Sequence, residues 1–392
     1  MKRFFFAIVV FFGWMASSAQ SQETDVFIDV RGDRLHFHIL RGNGVPILFE
    51  AGGGDDGTVW TNIAKPVRDI TGATLITYDR AGFGRSELNA NEQAIDKHGI
   101  QNGVEELEAA LAQLSYNGNI MLVAHSYGAF YATLYAARHP TLVKAAVLID
   151  GSSACWFTDD WIKDFVKERQ SENKPKAEGL GNYYQSANLP KTVEMMRSTI
   201  FPPAIPVIDL VSENPPFSNK GDVARWKRCH QQFANAQANR EGLTAYGSGH
   251  YIFKDNTPLV VHAIIKAYIS MLDRREADEI MRRHIDYAID AANQTKRQQV
   301  AYQHSELDLN SWGYALLGQG ETTKAIEVFR LNATLHPESA DVFAALAEAY
   351  EAIGQKELAI SNYKYSLKLN PGNKNAEEHL KKLSSPNNGT VH

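Results

Sequence analysis

The sequence IMLVAHSYG, residues 120–128, is the most informative part of this chain about its fold. Its first five residues are apolar, as in a buried strand, and a helical pattern follows from Ala129 to about Arg138. Ser126 stands between the two, with the small residues Ala124 and Gly128 two positions to either side. Small neighbours leave room for the sharp turn that exposes a serine hydroxyl between a strand and a helix. The stretch therefore predicts a strand–nucleophile–helix elbow.

A second motif upstream predicts the oxyanion-binding loop of such a site. The stretch VPILFEAGGG, residues 45–54, has the pattern of a buried strand that runs into a glycine-rich loop. Acyl transfer needs two backbone N–H donors for the developing oxyanion, and we expect them from Gly53 and Tyr127. The alternative is a phosphate-binding loop. Asp55 and Asp56 follow the glycines where such a loop would carry a lysine, and two carboxylates would repel phosphate.

The expected general base is His250. It follows a short strand and two glycines in the stretch LTAYGSGHYI, residues 243–252, and comes before a helix that is expected to start near Thr257. The chain order serine, acid, histidine suits a nucleophile elbow. His125 lies beside the nucleophile and is expected to pack under the elbow. His36 and His38 share a strand face but lack a third ligand, so no metal site is predicted there.

The acid of the site has two candidates. Asp150 follows the apolar strand at residues 145–149, directly after the nucleophile unit, and Glu213 ends the next strand. An acid that orients an imidazole must bind its second nitrogen, and both strand ends are within reach of His250. We favour Asp150 and keep Glu213 as the alternative.

Taken together, these motifs resemble the α/β-hydrolase superfamily from Asp25 to Leu272. The motifs that carry the resemblance are EAGGG, YDRAGFGRS, AHSYG, LIDGS and GSGHYI, in that order. The resemblance implies an α/β fold with an eight-stranded, mostly parallel sheet and a Ser-His-acid triad that needs no metal or organic cofactor. Asp79 and Arg80, in the motif YDRAGFGRS, are expected to be structural.

Two departures from the superfamily pattern bear on the site. Ala124 replaces the first glycine of the elbow, which its small side chain allows. The usual acid position after the seventh strand falls at Asn214-Pro215, whereas some members carry the acid after the sixth strand, where Asp150 stands. A serine at position 126 also argues against the haloalkane dehalogenase and epoxide hydrolase branches, which use aspartate there.

The resemblance implies that the insertion at about residues 151–203 forms a cap over the site. Its large apolar side chains would suit an acyl or aromatic substrate, although packing of the cap on the core explains them equally well. Pairing of the two cysteines, Cys155 and Cys229, is left open by the sequence. The apolar set comprises Trp156, Phe157, Trp161, Phe165, Tyr183, Tyr184, Met195 and Met196.

The N-terminus predicts export. Residues 1–19 have the form of a signal peptide, with Lys2 and Arg3 before an apolar run to Met15 and small residues before Gln20. The run is too short for a comfortable membrane span, so no stable membrane insertion is expected and the mature protein would be periplasmic or secreted. Loss of the two leader cations takes the formal charge from −5 to −7, which argues against nucleic acid as a partner.

Residues 275–385 have a different pattern, with helical periodicity and an internal repeat. Six positions recur at a constant offset of 34 residues, which resembles the tetratricopeptide repeat. Such repeats imply a protein partner or self-association, and bracing of the first domain is the alternative. The first set is Trp312, Leu316, Gly320, Ala325, Phe329 and Pro337, and the second is Leu346, Tyr350, Gly354, Ala359, Tyr363 and Pro371.

These observations predict an exported serine hydrolase that acts on a small-molecule ester or a related acyl compound. One alternative is an aminopeptidase of the proline-iminopeptidase kind, for which Asp159, Asp160 and Asp164 are candidates to bind a substrate amine. The other alternative is a non-catalytic adaptor that acts through the repeats.

Overall fold

One eight-stranded sheet organises the N-terminal part of the chain. The computed structural model describes residues 23–169, 174–175, 179–298 and 304–384; the leader predicted at residues 1–19 lies outside these ranges. The sheet order is β1-β2-β4-β3-β5-β6-β7-β8. β2 runs antiparallel to both of its neighbours, and all pairs from β4 to β8 are parallel. The strands are β1 (Glu23–Val30), β2 (Asp33–Leu40), β3 (Gly44–Glu50), β4 (Ala73–Tyr78), β5 (Ile120–His125), β6 (Val143–Ile149), β7 (Val207–Asn214) and β8 (Arg240–Gly249).

The central strands are apolar because both of their faces are covered. Along β5, Leu122 and Ala124 join one core cluster and Met121 and Val123 the other, as the two-residue period of a strand requires. Helices cover the two faces, and two short 3-10 helices lie at Gly57–Trp60 and Ile95–His98. The helices of this part are α1 (Thr61–Thr71), α2 (Ile100–Gln113), α3 (Gly128–Arg138), α4 (Asp159–Arg169), α5 (Leu180–Ser198), α6 (Lys220–Asn235), α7 (Ile252–Asp255) and α8 (Thr257–Ile269).

The insertion between β6 and β7 contributes α4 and α5. α5 packs against the elbow, and the Tyr127 hydroxyl lies 3.3 Å from Thr192 Oγ1 on that helix. The loop before α4 is joined to α6 by a disulfide between Cys155 and Cys229, whose Cα atoms are 5.8 Å apart. The structure thus settles a pairing that the sequence left open.

The C-terminal part consists of helix pairs that repeat in register. α12 and α13 begin and end 34 residues after α10 and α11, and Ser305 and Ser339 cap the first helix of each pair. This confirms a helical C-terminal region, whereas the tetratricopeptide assignment and its expected partner stay predictions. The helices are α9 (Arg274–Gln298), α10 (Glu306–Gly318), α11 (Thr322–Leu335), α12 (Ala340–Ala352), α13 (Lys356–Leu369) and α14 (Lys374–Ser384).

The two parts of the chain pack against each other through α8 and α9. The Asn256 side chain, at the start of α8, donates to Asp308 Oδ2 on α10 over 2.7 Å. In the interface, the His284 ring stacks on Trp312 with centroids 4.4 Å apart. Among the described helices, none has both the length and the apolar composition that crossing a membrane requires.

Candidate active site

The elbow predicted at Ser126 is a sharp turn between β5 and α3. Ser126 has φ of +49°, a left-handed conformation that is costly for a residue with a Cβ atom. Hydrogen bonds to the end of β6 hold it, because Ser126 N donates to Ile149 O over 3.1 Å and Ser152 N donates to Ser126 O over 2.9 Å. A methyl group at Gly128 would come within 2.5 Å of Ala51 O, which explains the glycine two positions after the serine.

The structure joins Ser126, His250 and Asp150 in one hydrogen-bonded chain. His250 Nε2 lies 2.9 Å from Ser126 Oγ, and His250 Nδ1 lies 2.6 Å from Asp150 Oδ2. Ser126 and His250 are partly exposed, while Asp150 is fully buried. This is the arrangement in which an imidazole can accept a proton from a serine hydroxyl while a carboxylate stabilises the cation that forms.

Asp150 is surrounded by hydrogen-bond donors. Oδ1 accepts from Ser212 N at 3.0 Å and from Trp226 Nε1 at 2.8 Å, and Oδ2 accepts from Ser212 Oγ at 2.8 Å as well as from His250. Burial by itself would raise the pKa of Asp150, but the bonds from His250, Ser212 and Trp226 outweigh it and hold the pKa below its usual value. The group is therefore a carboxylate at neutral pH.

Glu213, the alternative acid, has different surroundings. Its carboxylate is partly exposed and accepts from the backbone N–H of Gly247 over 2.7 Å. Because His250 Nδ1 is already bound to Asp150, Glu213 supports the loop before His250 and does not join the chain of Ser126, His250 and Asp150. Asp150 is thus buried and bound to His250, whereas Glu213 is partly exposed and bound to a backbone N–H group.

The glycine loop after β3 lies beside the elbow, as expected for Gly53 and Tyr127. A methyl group at Gly53 would come within 3.4 Å of Tyr127 Cβ and 2.7 Å of Gln185 Nε2 on α5. Within the described part of the chain, neither the Gly53 nor the Tyr127 backbone N–H donates a hydrogen bond. Both donors are therefore available to an acceptor beside Ser126.

Arg80 fixes the carbonyl groups of this loop. Its guanidinium donates to Ala51 O over 2.9 Å and also to Gly52 O. It lies 3.7 Å from the buried carboxylate of Glu50, to which the Tyr78 hydroxyl donates over 2.6 Å. Burial raises the pKa of Glu50 to about 7, although Arg80 and Tyr78 oppose the shift. The structural role predicted for Arg80 thus has a definite target, the loop that carries Gly53.

His125 packs under the loop that carries His250. It is 1% exposed, and its Nε2 lies 3.0 Å from the carbonyl oxygen of His250. Burial, together with the nearby His250, lowers the pKa of His125 to about 3. The side chain is therefore neutral at physiological pH, and as the donor to His250 O it carries its proton on Nε2.

The cap residues pack on the core more than they line a cavity. Phe157 and Met196 line a cavity of about 560 Å³ between α3, α6 and the cap, and Tyr184 lines one of about 30 Å³ beside Tyr127.

The acidic residues considered for amine binding are exposed on α4, and Asp159 is paired with Arg197 at 2.6 Å. Asp159 is therefore engaged with a cation of the chain itself.

Four residues around the site were not predicted to contact it. Ser212 and Trp226 bind Asp150, Arg80 binds the loop carbonyls, and Gln185 lies beside Gly53. Only Ser212 has a local signal, because it stands next to the candidate acid Glu213 in the sequence; the other three depend on long-range packing. No three histidine, cysteine or acidic residues within the described ranges lie together in a way that could hold a metal ion.

Comparisons with known proteins bear on the same region. Residues 45–203 match the family model of the alpha/beta hydrolase fold. The Bacillus subtilis protein YqjL is 25% identical over 240 residues, which are 60% of this chain and 88% of that protein. A cis-3-alkyl-4-alkyloxetan-2-one decarboxylase of Shewanella oneidensis is 29% identical over 124 residues, 32% of this chain and 37% of the enzyme. A proline iminopeptidase of Saccharolobus solfataricus is 28% identical over 123 residues, 30% of this chain and 39% of the enzyme.

Among solved structures, a thermophilic esterase from Thermogutta terrifontis aligns with 63% of this chain and 97% of its own, at 18% identity and a TM-score of 0.48. This chain spans well under half the length of the decarboxylase and the iminopeptidase. The family match covers the glycine loop, the elbow, Asp150 and the insertion between β6 and β7, and it agrees with the observed sheet order. The N-terminal part of this chain therefore has the α/β-hydrolase fold.

Proposed function

We propose that this protein is an exported serine hydrolase that cleaves a carboxylic ester or a related acyl bond through an acyl-enzyme. The observation that carries the proposal is the chain of hydrogen bonds from Ser126 through His250 to the buried Asp150. The α/β-hydrolase fold and relatives that include named hydrolases support it. Asp150 is proposed as the acid in preference to Glu213 because it contacts His250.

The proposed reaction begins with attack of Ser126 Oγ on the carbonyl carbon. His250 Nε2 takes the hydroxyl proton as the new C–O bond forms, and Asp150 stabilises the resulting imidazolium. The backbone N–H groups of Gly53 and Tyr127 bind the oxyanion. Collapse of this intermediate breaks the bond to the leaving group, which receives the proton from His250. Water then repeats the sequence on the acyl-enzyme, so that the acid is released and Ser126 is restored.

The test is to label the purified protein with a fluorophosphonate probe, beside Ser126→Ala, and to map the adduct by mass spectrometry. We expect one adduct, on Ser126, and none on the variant. A folded wild-type protein that is not labelled would reject the serine-hydrolase proposal and favour an adaptor that acts through the helix pairs. Labelling at another serine would reject the assignment of the nucleophile.

A second candidate function is cleavage of an N-terminal residue from a peptide. It is favoured by relatives that include proline iminopeptidases of Saccharolobus solfataricus and Thermoplasma volcanium, each 28% identical over part of this chain. Against it, the acidic residues of α4 are exposed. Rates on p-nitrophenyl esters and on prolyl p-nitroanilide separate the two functions, since an iminopeptidase needs the free amine and loses activity when it is acetylated.

Export is supported by the leader pattern at residues 1–19 and by the Cys155–Cys229 disulfide, because disulfides persist mainly in oxidising compartments. Expression of the full chain in a bacterium, followed by cell fractionation and N-terminal sequencing, tests it. We expect a periplasmic or secreted protein that begins at Gln20. A cytoplasmic protein that retains Lys2 and Arg3 would contradict export and leave the proposed chemistry untouched.

A further inference from the structure

Trp226 reaches the proposed acid from outside the sheet. Asp150 Oδ1 accepts hydrogen bonds from Ser212 N at 3.0 Å and from Trp226 Nε1 at 2.8 Å. Ser212 belongs to β7, which is paired with β6 next to Asp150, so its position follows from the sheet. Trp226 belongs to α6, and its indole reaches Asp150 only while that helix stays in place. The Trp226 side chain is 3% exposed and its ring lies 6.3 Å from that of His250.

A covalent bond holds α6 at this distance. Cys229 follows Trp226 by three residues, so the two side chains lie on the same side of the helix. Cys155 comes five residues after Asp150 and is bonded to Cys229. The path from Asp150 to Cys155, across the disulfide, along α6 to Trp226 and back through the indole hydrogen bond is therefore a closed ring, and the acid is a member of it.

Weaker contacts reinforce the same junction. Trp156 Nε1 donates to Asp222 O over 3.2 Å, and Arg225 Nη1 donates to Trp156 O over 3.2 Å. The Trp156 ring also stacks on Phe217 with centroids 4.5 Å apart. These contacts hold the loop after β6 against α6 without touching Asp150. The Trp156 ring also lies edge-on to that of Trp226, with centroids 6.0 Å apart. Trp156→Phe keeps an aromatic ring at this position and leaves the bond from Trp226 to Asp150 in place, which makes it the matched control for Trp226→Phe.

We propose that Trp226 is a positioning residue for Asp150 and that the Cys155–Cys229 disulfide keeps its indole within reach. The inference rests on the proposed function, in which Asp150 orients His250. The indole N–H holds Oδ1 and so turns Oδ2 toward His250. Without it, the carboxylate can rotate away from His250.

The disulfide is open to reduction because Cys155 is exposed. A dithiol such as dithiothreitol breaks the S–S bond by giving two electrons and two protons, which leaves two thiols and the cyclic disulfide of the reagent. α6 is then held by noncovalent contacts alone. We expect the hydrogen bond from Trp226 to Asp150 to be the one in the site that weakens.

The test compares Trp226→Phe with Trp156→Phe in the full-length mature protein. The readout is the second-order rate of fluorophosphonate labelling of Ser126 against pH. For Trp226→Phe we expect a loss of at least about tenfold at neutral pH, the scale of one hydrogen bond to a charged group. The shape of its pH profile should also differ from that of the wild type. Trp156→Phe should keep the wild-type pH profile. Equal profiles for the two variants would overturn the proposal.

A second arm needs no substitution at the tryptophan. Treatment with dithiothreitol should slow labelling of the wild-type protein several-fold and change its pH profile as Trp226→Phe does. Cys155→Ser/Cys229→Ser should behave as reduced protein and be unaffected by the reagent. Trp226→Phe should lose little more on reduction, because the contact that reduction weakens is already absent. Unchanged labelling of fully reduced wild-type protein would overturn the role of the disulfide. Absence of wild-type labelling would instead reject the proposed function itself.

Discussion

The carboxyl edge of the sheet and the C-terminal helix pairs use the backbone in different ways. At the edge, Ser126 and Asp150 have φ of +49° and +44°, a conformation that costs about 1–3 kcal/mol for residues other than glycine. In the helix pairs, the turns with positive φ are at Gly320 and Gly354, where the same conformation costs little. Two of the four non-glycine residues with positive φ in the described ranges, Ser126 and Asp150, thus lie where the proposed chemistry takes place; the other two are Arg31 and Ser115.

The two regions also differ in how they treat buried polar groups. Asp150 is fully buried and has a donor for each bond it can make. His284, in the interface between the two parts of the chain, is equally buried, and neither of its ring nitrogens has a hydrogen-bond partner among the described residues. The hydrogen bonds of Asp150 thus fix its orientation, whereas His284 is buried without a hydrogen bond from either ring nitrogen to a described residue. Four sets of substitutions test this difference between the two regions.

The largest expected effect is on Asp150. Asp150→Asn places an amide where His250 needs an acceptor, which favours the wrong tautomer of the imidazole and should lower kcat by roughly 10⁴-fold. Glu213→Gln changes a carboxylate of the same strand-end position that does not contact His250, and kcat should stay within about threefold of wild type. Steady-state rates on a p-nitrophenyl ester measure both. A larger loss from Glu213→Gln would reassign the acid.

The next largest effect is expected from a substitution at Arg80, which holds the proposed oxyanion loop that carries Gly53. Arg80→Met removes the donors to Ala51 O and Gly52 O and leaves the buried Glu50 without its cation. We expect labelling of Ser126 to slow by about 100-fold and the free energy of unfolding in urea to fall by about 3 kcal/mol.

The control for that prediction is Arg85→Met. The Arg85 side chain is exposed, with its guanidinium 3.0 Å from Asp25, so both quantities should change little. If Arg80→Met labels as fast as Arg85→Met, the loop does not depend on the guanidinium.

A smaller effect, and an increase in the free energy of unfolding, is expected from a substitution at His284, in the interface between the two parts of the chain. Burial lowers the pKa of His284 well below its usual value, so the unfolded chain takes up a proton that the folded protein excludes, and this residue destabilises the fold increasingly as pH falls below about 6.5. His284→Leu removes two unpartnered nitrogens and should raise the unfolding free energy by about 1–2 kcal/mol at pH 5, and by less at pH 8. Thermal melts at both pH values measure this. A variant that is destabilised equally at both would show that stacking on Trp312 outweighs the buried nitrogens.

The smallest effects are in the turns of the helix pairs. Gly320→Ala and Gly354→Ala put a methyl group on residues with φ of +78° and +74° but with open space around them. Each should lower the unfolding free energy by about 1 kcal/mol and leave labelling of Ser126 unchanged. Matching losses are expected because the two turns are equivalent in the repeat. A loss at one turn and none at the other would mean that the two pairs are not held in the same way.

Local patterns predicted a large part of this molecule. The elbow at Ser126, the glycine loop and the 34-residue offset all depend on residues close together in the chain, where sterics and helix periodicity act. His250 could be proposed from its place after the last strand, and the structure brings it to Ser126. The choice between Asp150 and Glu213 could not be made in this way, since both stand at the same edge of neighbouring strands.

The local elements and their order along the chain can be read from the residues: the strand that leads to Ser126, the glycine turn, and the repeated helices. These follow from interactions between near neighbours, whose geometry is set by the backbone. Three contacts required the folded chain, namely those of Asp150 with His250, of Cys155 with Cys229, and of Trp226 with Asp150. Those contacts join residues 100, 74 and 76 positions apart, and no local rule sets the direction from which a distant helix approaches.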